Sequence, residues 1–357
     1  MATLYVTSTE TFAGKSAVCV GLGQRFLRDG FTVGYMKPLS TTARRSGERV
    51  VDEDAEFAKR VFKLAEPGEL LAPVTLTPHL VEAILSGEET TDFASKLKEA
   101  YAEVSKGKDV VILEGGSSLR EGYLVNLPTP NVSKLLNAPE LVVVKYKNNL
   151  QLVDDILTAR TRLDDSMIGA LINAVPRQLM RFVQETVKPY LESRRIKVFA
   201  ILPQERLLLS ISVGELTEAL NGEILCCPEH GDELVEYLMV GAMSVDSALT
   251  YFRRKPNKAV ITGGDRPDIQ LAALETSTKC LILTGNLRPS PIILGRAEEV
   301  GVPMILVKQD TLTAVEIIER YFGKTRFHQE KKVQRFQEML EERFDFDALY
   351  RALKLRS

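Results

Sequence analysis

The sequence predicts an α/β protein: a parallel sheet covered by helices, then a smaller α/β domain, then a helical tail. Three observations lead there. Continuously apolar runs such as Val110-Val111-Ile112-Leu113 alternate with amphipathic stretches, as strands buried on both faces of a parallel sheet do. That alternation breaks up around residues 205–222, and a second alternating series follows. Near the start, Ser8-Thr9-Glu10-Thr11-Phe12-Ala13-Gly14-Lys15-Ser16 stands between an apolar strand and a helix.

Composition bounds the partners. The 357 residues are enough for about two domains. Hydrophobic content of 45% and charged content of 26% are those of an ordinary globular protein. A net charge of -2 points away from nucleic acid and membrane surfaces. Cys19, Cys226, Cys227 and Cys280 form no Cys-x-x-Cys pair, and His79, His230 and His328 are scattered, so a zinc site or disulfide framework is not expected. No signal-peptide pattern and no bilayer-length apolar run is present, and a cytoplasmic protein is the default expectation.

The elements follow in order. A strand over Thr3–Thr7 runs into residues 8–16, and a helix with Val18, Leu22 and Phe26 on one face runs out. Strand, Gly-Lys-Ser loop and helix is the layout of a phosphate-binding loop, or else an ordinary Gly-Lys-Ser helix start. Backbone N–H groups and the helix dipole would face the anion. Gly14 allows close approach, Lys15 would reach the outer phosphates, and the Ser16 hydroxyl would ligate Mg²⁺. Ser8 stands where the usual pattern has its first glycine.

The next strand, Thr32–Met36, ends in Lys37, which is either a second ammonium for developing phosphoryl charge or a solvated lysine. Arg44-Arg45-Ser46-Gly47 reads as a loop. Asp52-Glu53-Asp54 opens a helix near 53–64, where acids serve the dipole and one is also a candidate Mg²⁺ ligand. Residues 65–90 read as an irregular excursion with a short helix, followed by a helix near 90–106. The strand Asp109–Leu113 delivers Glu114 into Gly115-Gly116, as a hard oxygen ligand or as an acid at a strand end. The polar loop from Ser117 to Pro130 suits a substrate or lid segment. Strands at Leu141–Val144, Ile168–Ile172 and Lys197–Ile201 flank helices near 149–163 and 177–193. Asn173 offers a donor and an acceptor suited to adenine, or is a turn residue before Pro176.

The second series has strands at Glu223–Cys226, Lys258–Thr262, Lys279–Leu283 and Met304–Val307, a long helix near 231–253 and a helix near 266–276. Gly263-Gly264-Asp265-Arg266 and Thr284-Gly285 follow strands, as ligand-holding turns or simply tight ones. Residues 326–355 are helical in period, with a stripe of Phe336, Leu340, Phe344, Leu349 and Leu353 that would cover the second domain or meet another subunit.

Taken together and in order, the phosphate loop, Lys37-Pro38, Glu114-Gly115, Asn173 and Leu202-Pro203 resemble dethiobiotin synthetase over residues 1–205. The resemblance implies a P-loop NTPase sheet that binds ATP and Mg²⁺. It places nucleotide on Thr9, Glu10, Ala13, Gly14, Lys15, Ser16 and Asn173, the last reading adenine. It implies Ser16, Asp54 and Glu114 as metal ligands, and Lys15, Lys37 and Thr11 as the catalytic set, with Thr11 on the substrate side.

Residues 206–325 resemble the DRTGG domain through Gly264-Asp265-Arg266-x-Asp268-Ile269, Thr284-Gly285 and Asp310-Thr311, with Asn286 where a second glycine is expected. Ligand candidates there are Gly264, Asp265, Arg266, Thr284 and Gly285. Residues 326–357 form the tail. The order is similar to the N-terminal half of long-form phosphotransacetylases, and the remaining residues are too few for their catalytic domain. Three features depart from the synthetase: Ser8, a segment Ser117-Ser118-Leu119-Arg120-Glu121-Gly122 unlike its substrate loop, and the DRTGG-like domain, which the synthetase lacks. The absence of lysine in residues 8–13 counts against the partition and division-site ATPases.

The expectations are therefore a Mg-ATP-binding regulatory or sensor protein, a homodimer with a small-molecule effector on its second domain, or an ATP-dependent ligase phosphorylating a carboxylate or carbamate. A relic that only scaffolds a partner is the third.

Overall fold

A computed structural model describes residues 1–46, 49–322 and 327–355. The chain divides into two units, Met1–Gln204 with Val333–Ser357, and Glu205–Lys332.

In the first unit β1 (Ala2–Ser8) leads through the loop into α1 (Lys15–Arg28), then β2 (Val33–Met36), α2 (Glu53–Phe62) and α3 (Phe93–Val104). β3 (Val110–Glu114), β4 (Glu140–Lys145), α4 (Asn149–Leu163), β5 (Met167–Val175) and β6 (Val198–Pro203) follow. The six strands are parallel, in the order β6-β5-β4-β1-β3-β2. β1 lies between strands reached by the chain in opposite directions. The carboxyl end of such a strand is where open α/β sheets bind ligands. The apolar runs are buried as their composition requires, Val110 to Leu113 completely. α4 lays Leu152, Ile156, Ala159 and Leu163 on one side of this core, and α1 buries Val18, Leu22 and Phe26.

Two local expectations change. Arg44–Ser46 is no loop but pairs antiparallel with Arg49–Val51; Gly47 lies outside the described residues. The helix near 177–193 is broken into a 3-10 turn, a π turn over Val183–Val187 and a final helix Lys188–Glu192. Pro189 has no N–H for the carbonyl four residues back, so the ladder widens there.

The second unit contains α5 (Val213–Leu220), β7 (Glu223–Cys226), β8 (Tyr237–Val240), α6 (Val245–Phe252), β9 (Lys258–Gly263), α7 (Pro267–Leu274), β10 (Thr278–Thr284), α8 (Pro291–Val300), β11 (Met304–Leu306) and α9 (Thr311–Tyr321). Its sheet runs β7-β11-β10-β9-β8, with β7 antiparallel and the rest parallel. The long helix expected over 231–253 is a short helix preceded by β8, which pairs with β9. A short apolar run such as Tyr237–Val240 fits a strand or a helix equally until a neighbour claims its edge.

The tail is two helices, α10 (Glu330–Arg343) and α11 (Phe346–Leu353). Its apolar stripe does not cover the second unit: from Val333 on, it packs with the first. Gly21 makes this possible, since a Cβ there would stand 2.4 Å from Leu340 Cδ1. Phe344 stacks on Phe199 with ring centres 5.7 Å apart, and Lys197 pairs with Asp345 at 2.7 Å. Among the described residues no helix is long and apolar enough to cross a membrane.

Candidate functional site

At the carboxyl end of β1 the backbone of residues 8–14 turns sharply. Phe12 adopts φ 55° and Gly14 φ 102° before α1 begins at Lys15. Glycine takes this conformation freely, whereas for phenylalanine it costs about 1 kcal/mol. Lys15 is buried and donates to Ser8 Oγ at 2.8 Å; Ser8 in turn donates to the Glu10 carbonyl at 2.6 Å. The serine in place of the first glycine thus holds the loop's own lysine. Burial lowers the Lys15 pKa, with Lys37 adding to the effect and Glu114 opposing it.

Two further strand ends and the start of α2 complete the cluster. β3 carries Glu114, whose Oε1 accepts from Ser16 Oγ at 2.6 Å and whose Oε2 accepts from Tyr35 Oη at 2.7 Å. Ser16 Oγ is also 3.5 Å from Asp54 Oδ1. Lys37, just beyond β2, is buried and pairs with Asp54 at 2.7 Å and Asp52 at 2.9 Å. Burial disfavours the Lys37 charge, but Asp54, Glu114 and Asp52 outweigh it and hold the ammonium well above its usual range. Burial raises the Glu114 pKa, and repulsion from Asp54 adds to it, against Lys37 and the Ser16 and Tyr35 hydroxyls. Lys37 is therefore not solvated, and Glu114 is a buried acid bonded to two hydroxyls.

The oxygens of Ser16, Asp54 and Glu114 converge as hard donors. Among the described residues no group of three or more His, Cys, Asp and Glu side chains could hold a metal. A hydroxyl and two carboxylates fit Mg²⁺, which takes its remaining ligands from water and phosphate.

The other expected residues divide. Ala13 and Gly14 lie in the turn. Thr9 has a buried hydroxyl with no partner among the described residues, and Glu10 pairs with Lys147 beyond β4. Thr11 is exposed on the loop. Asn173, near the end of β5, is committed to the loop: its Nδ2 donates to the Ala13 carbonyl at 2.8 Å and its Oδ1 accepts from the Ala174 N–H at 2.8 Å.

Sequence reasoning missed Tyr35, the pairing of Asp52 with Lys37, and the Ser8–Lys15 bond. Asp52 had a legible signal: it caps α2, accepting from the Ala55 N–H at 2.9 Å, and Lys37 needs a counter-charge.

In the second unit β9 and β10 lie side by side, with Gly263 in register with Thr284. This brings Gly264, Asp265 and Arg266 to the same sheet end as Thr284 and Gly285. A Cβ on Gly264 would fall 1.7 Å from the Leu287 carbonyl oxygen, so only glycine fits. The buried Gln270 donates to the carbonyls of Gly263 and Gly264 at 2.9 and 3.1 Å. Arg266 makes two 3.0 Å bonds to Asp268, and Thr284 Oγ1 is 3.0 Å from Thr311 Oγ1.

Comparison with known proteins follows this division. A family model described as AAA domain matches residues 2–211, and the DRTGG domain matches residues 215–321. A phosphate acetyltransferase of Nitratidesulfovibrio vulgaris is 26% identical over 97% of this chain and 51% of its own length. One from Synechocystis is 25% identical over 84% of this chain and 44% of its length. An ATP-dependent dethiobiotin synthetase of Caldicellulosiruptor saccharolyticus is 28% identical over 33% of this chain and 49% of its length. The chain spans about half the length of these curated relatives. The two domains stand in the order found in the N-terminal half of long-form phosphotransacetylases. The AAA domain match covers more than half of the chain, and the chain belongs to that family.

Proposed function

We propose that this AAA domain protein binds Mg-ATP at residues 8–16 and acts as a regulatory or sensor module, with a small-molecule effector on its second unit. The observation that carries this reading is the convergence of the buried Lys15, Lys37 and Glu114 with the half-buried Ser16 and Asp54 beside the ends of neighbouring strands. Burying such a charged group costs free energy that packing alone does not repay, which is why these clusters mark functional sites.

Thr9, Glu10, Ala13 and Gly14 contribute the turn around the phosphates. Lys15 exchanges Ser8 for a phosphate oxygen. Ser16, Asp54 and Glu114 hold Mg²⁺, which supplies charge neutralisation on the phosphates when bound. Lys37 keeps Asp52 and Asp54 in place. Gly264, Asp265, Arg266, Thr284 and Gly285 frame the effector site. The relatives' two-domain order supports a paired, regulatory role. The reading includes a homodimer, checked by light scattering, and a cytoplasmic setting, which suits four free buried cysteines.

A second reading, ATP-dependent phosphorylation of a carboxylate or carbamate, is favoured by one observation: Lys37 is fixed beside the loop rather than solvated. Lys15 and Lys37 would then stabilise transferring charge, and Thr11 would lie at the substrate side. ADP release from Mg-ATP separates the readings. Slow or no release, unchanged across diamino acids plus bicarbonate, fits the sensor. Fast turnover with one small substrate sinks it. In that case Lys37→Ala should abolish turnover while nucleotide binding persists below the variant's melting temperature.

A further inference from the structure

We infer that Asn173 is a positioning residue that sets the curvature of the phosphate loop and therefore acts on every polyphosphate ligand alike. This rests on the nucleotide reading of residues 8–16. A loop that points successive N–H groups at an anion must turn its carbonyls outward, and each buried carbonyl then needs a donor. Ala13 is completely buried at the heart of the turn. Its carbonyl receives the Asn173 Nδ2 at 2.8 Å across a sequence separation of 160 residues. The next carbonyl, that of Gly14, accepts from the Val18 N–H at 3.0 Å as the first turn of α1.

The contact is tight as well as polar. A Cβ on residue 14 would stand 2.4 Å from Asn173 Nδ2, so the amide occupies the space that glycine leaves. Phe12 holds φ 55° two residues earlier and remains 52% exposed, so packing of its own ring does not account for its conformation. Left-handed conformations of bulky residues persist where neighbouring contacts over-determine them. The Asn173 bond supplies such a contact. The amide itself is held rigidly: Oδ1 accepts from the Ala174 N–H at 2.8 Å, and the Asn173 carbonyl accepts from the Tyr146 N–H at 2.8 Å. One end of the side chain is anchored on β5 and the other on the loop.

The test uses the full chain, as wild type, Asn173→Ala and Asn173→Asp, titrated with Mg-ATP, Mg-GTP and magnesium tripolyphosphate. The clamp predicts that Asn173→Ala weakens all three by the same factor, roughly tenfold, as for one lost buried hydrogen bond. A base reader predicts the opposite pattern. Tripolyphosphate binding stays at the wild-type value, ATP alone weakens, and Asn173→Asp shifts preference toward guanine, whose edge donates to a carboxylate. That pattern, or no change in any affinity, overturns the inference. Hydrogen exchange of the ligand-free proteins provides an independent check. Amides of residues 9–16 should exchange faster in both variants while the sheet keeps its protection; unchanged exchange there also overturns it. If wild type binds none of the three ligands, the nucleotide reading fails, and the exchange result still decides the clamp.

Discussion

Replacing Lys37 with alanine probes the interior of the site. Its ammonium lies between Asp52, whose side chain is fully buried, and Asp54, whose side chain is 29% exposed. Removing one partner of a buried ion pair costs about 3–5 kcal/mol, because the remaining charge stays desolvated. Asp54 can turn toward water and Asp52 cannot, so the lower end applies, about 3 kcal/mol. For a unit of this size each kcal/mol moves the midpoint by about 2–4 °C, which gives a fall of about 6–12 °C. The assay is calorimetric melting with parallel urea titration. Lys37→Ala/Asp52→Asn removes the stranded charge and should recover about 1–2 kcal/mol relative to Lys37→Ala. A loss below about 1 kcal/mol, or strictly additive effects, would refute the claim that Lys37 is bound to the site by buried charge.

Three further outcomes follow from the same geometry. Ser8→Ala removes the competitor for Lys15 and should tighten Mg-ATP binding by about two- to tenfold in calorimetry; weaker binding would mean that Ser8 orders the loop instead. Gly264→Ala sets a Cβ against the Leu287 carbonyl and should destabilise the second unit by more than about 2 kcal/mol, read by limited proteolysis of residues 205–332; wild-type resistance contradicts it. Burial lifts the Glu140 carboxyl to about 8, against a hydrogen bond that Ser166 Oγ donates to its Oε1 at 3.1 Å. Between its ordinary 4.5 and 8 it is protonated when folded and ionised when unfolded, so stability falls as pH rises, by at most about 1.4 kcal/mol per pH unit. Urea midpoints at pH 5 and pH 8 should converge on a flatter slope in Glu140→Gln, and an unchanged slope would contradict this.

What the sequence could convey depended on how local the cause was. The strand Val110–Glu114 was legible because burial on both faces demands an unbroken apolar run, and the loop because Gly14, Lys15 and Ser16 do their work within three residues. Lys37, Asp54 and Glu114 could be picked out singly, but their meeting depends on β2 and β3 being neighbours, which no local pattern encodes. Asn173 lay further out of reach. Its residue type suits adenine, while its position at the end of β5 decides that the amide meets the Ala13 carbonyl. The strand Tyr237–Val240 was misread as helix for the same kind of reason, since its partner β9 begins some way downstream.

The proposed binding of a magnesium nucleotide by residues 8–16 stands or falls on calorimetric titration of Mg-ATP into wild type and Lys15→Ala. Wild type should bind saturably and the variant at least about tenfold more weakly, since the proposed Lys15 contact to phosphate is charge-assisted. No heat of binding from either protein, or equal affinity in both, would contradict it.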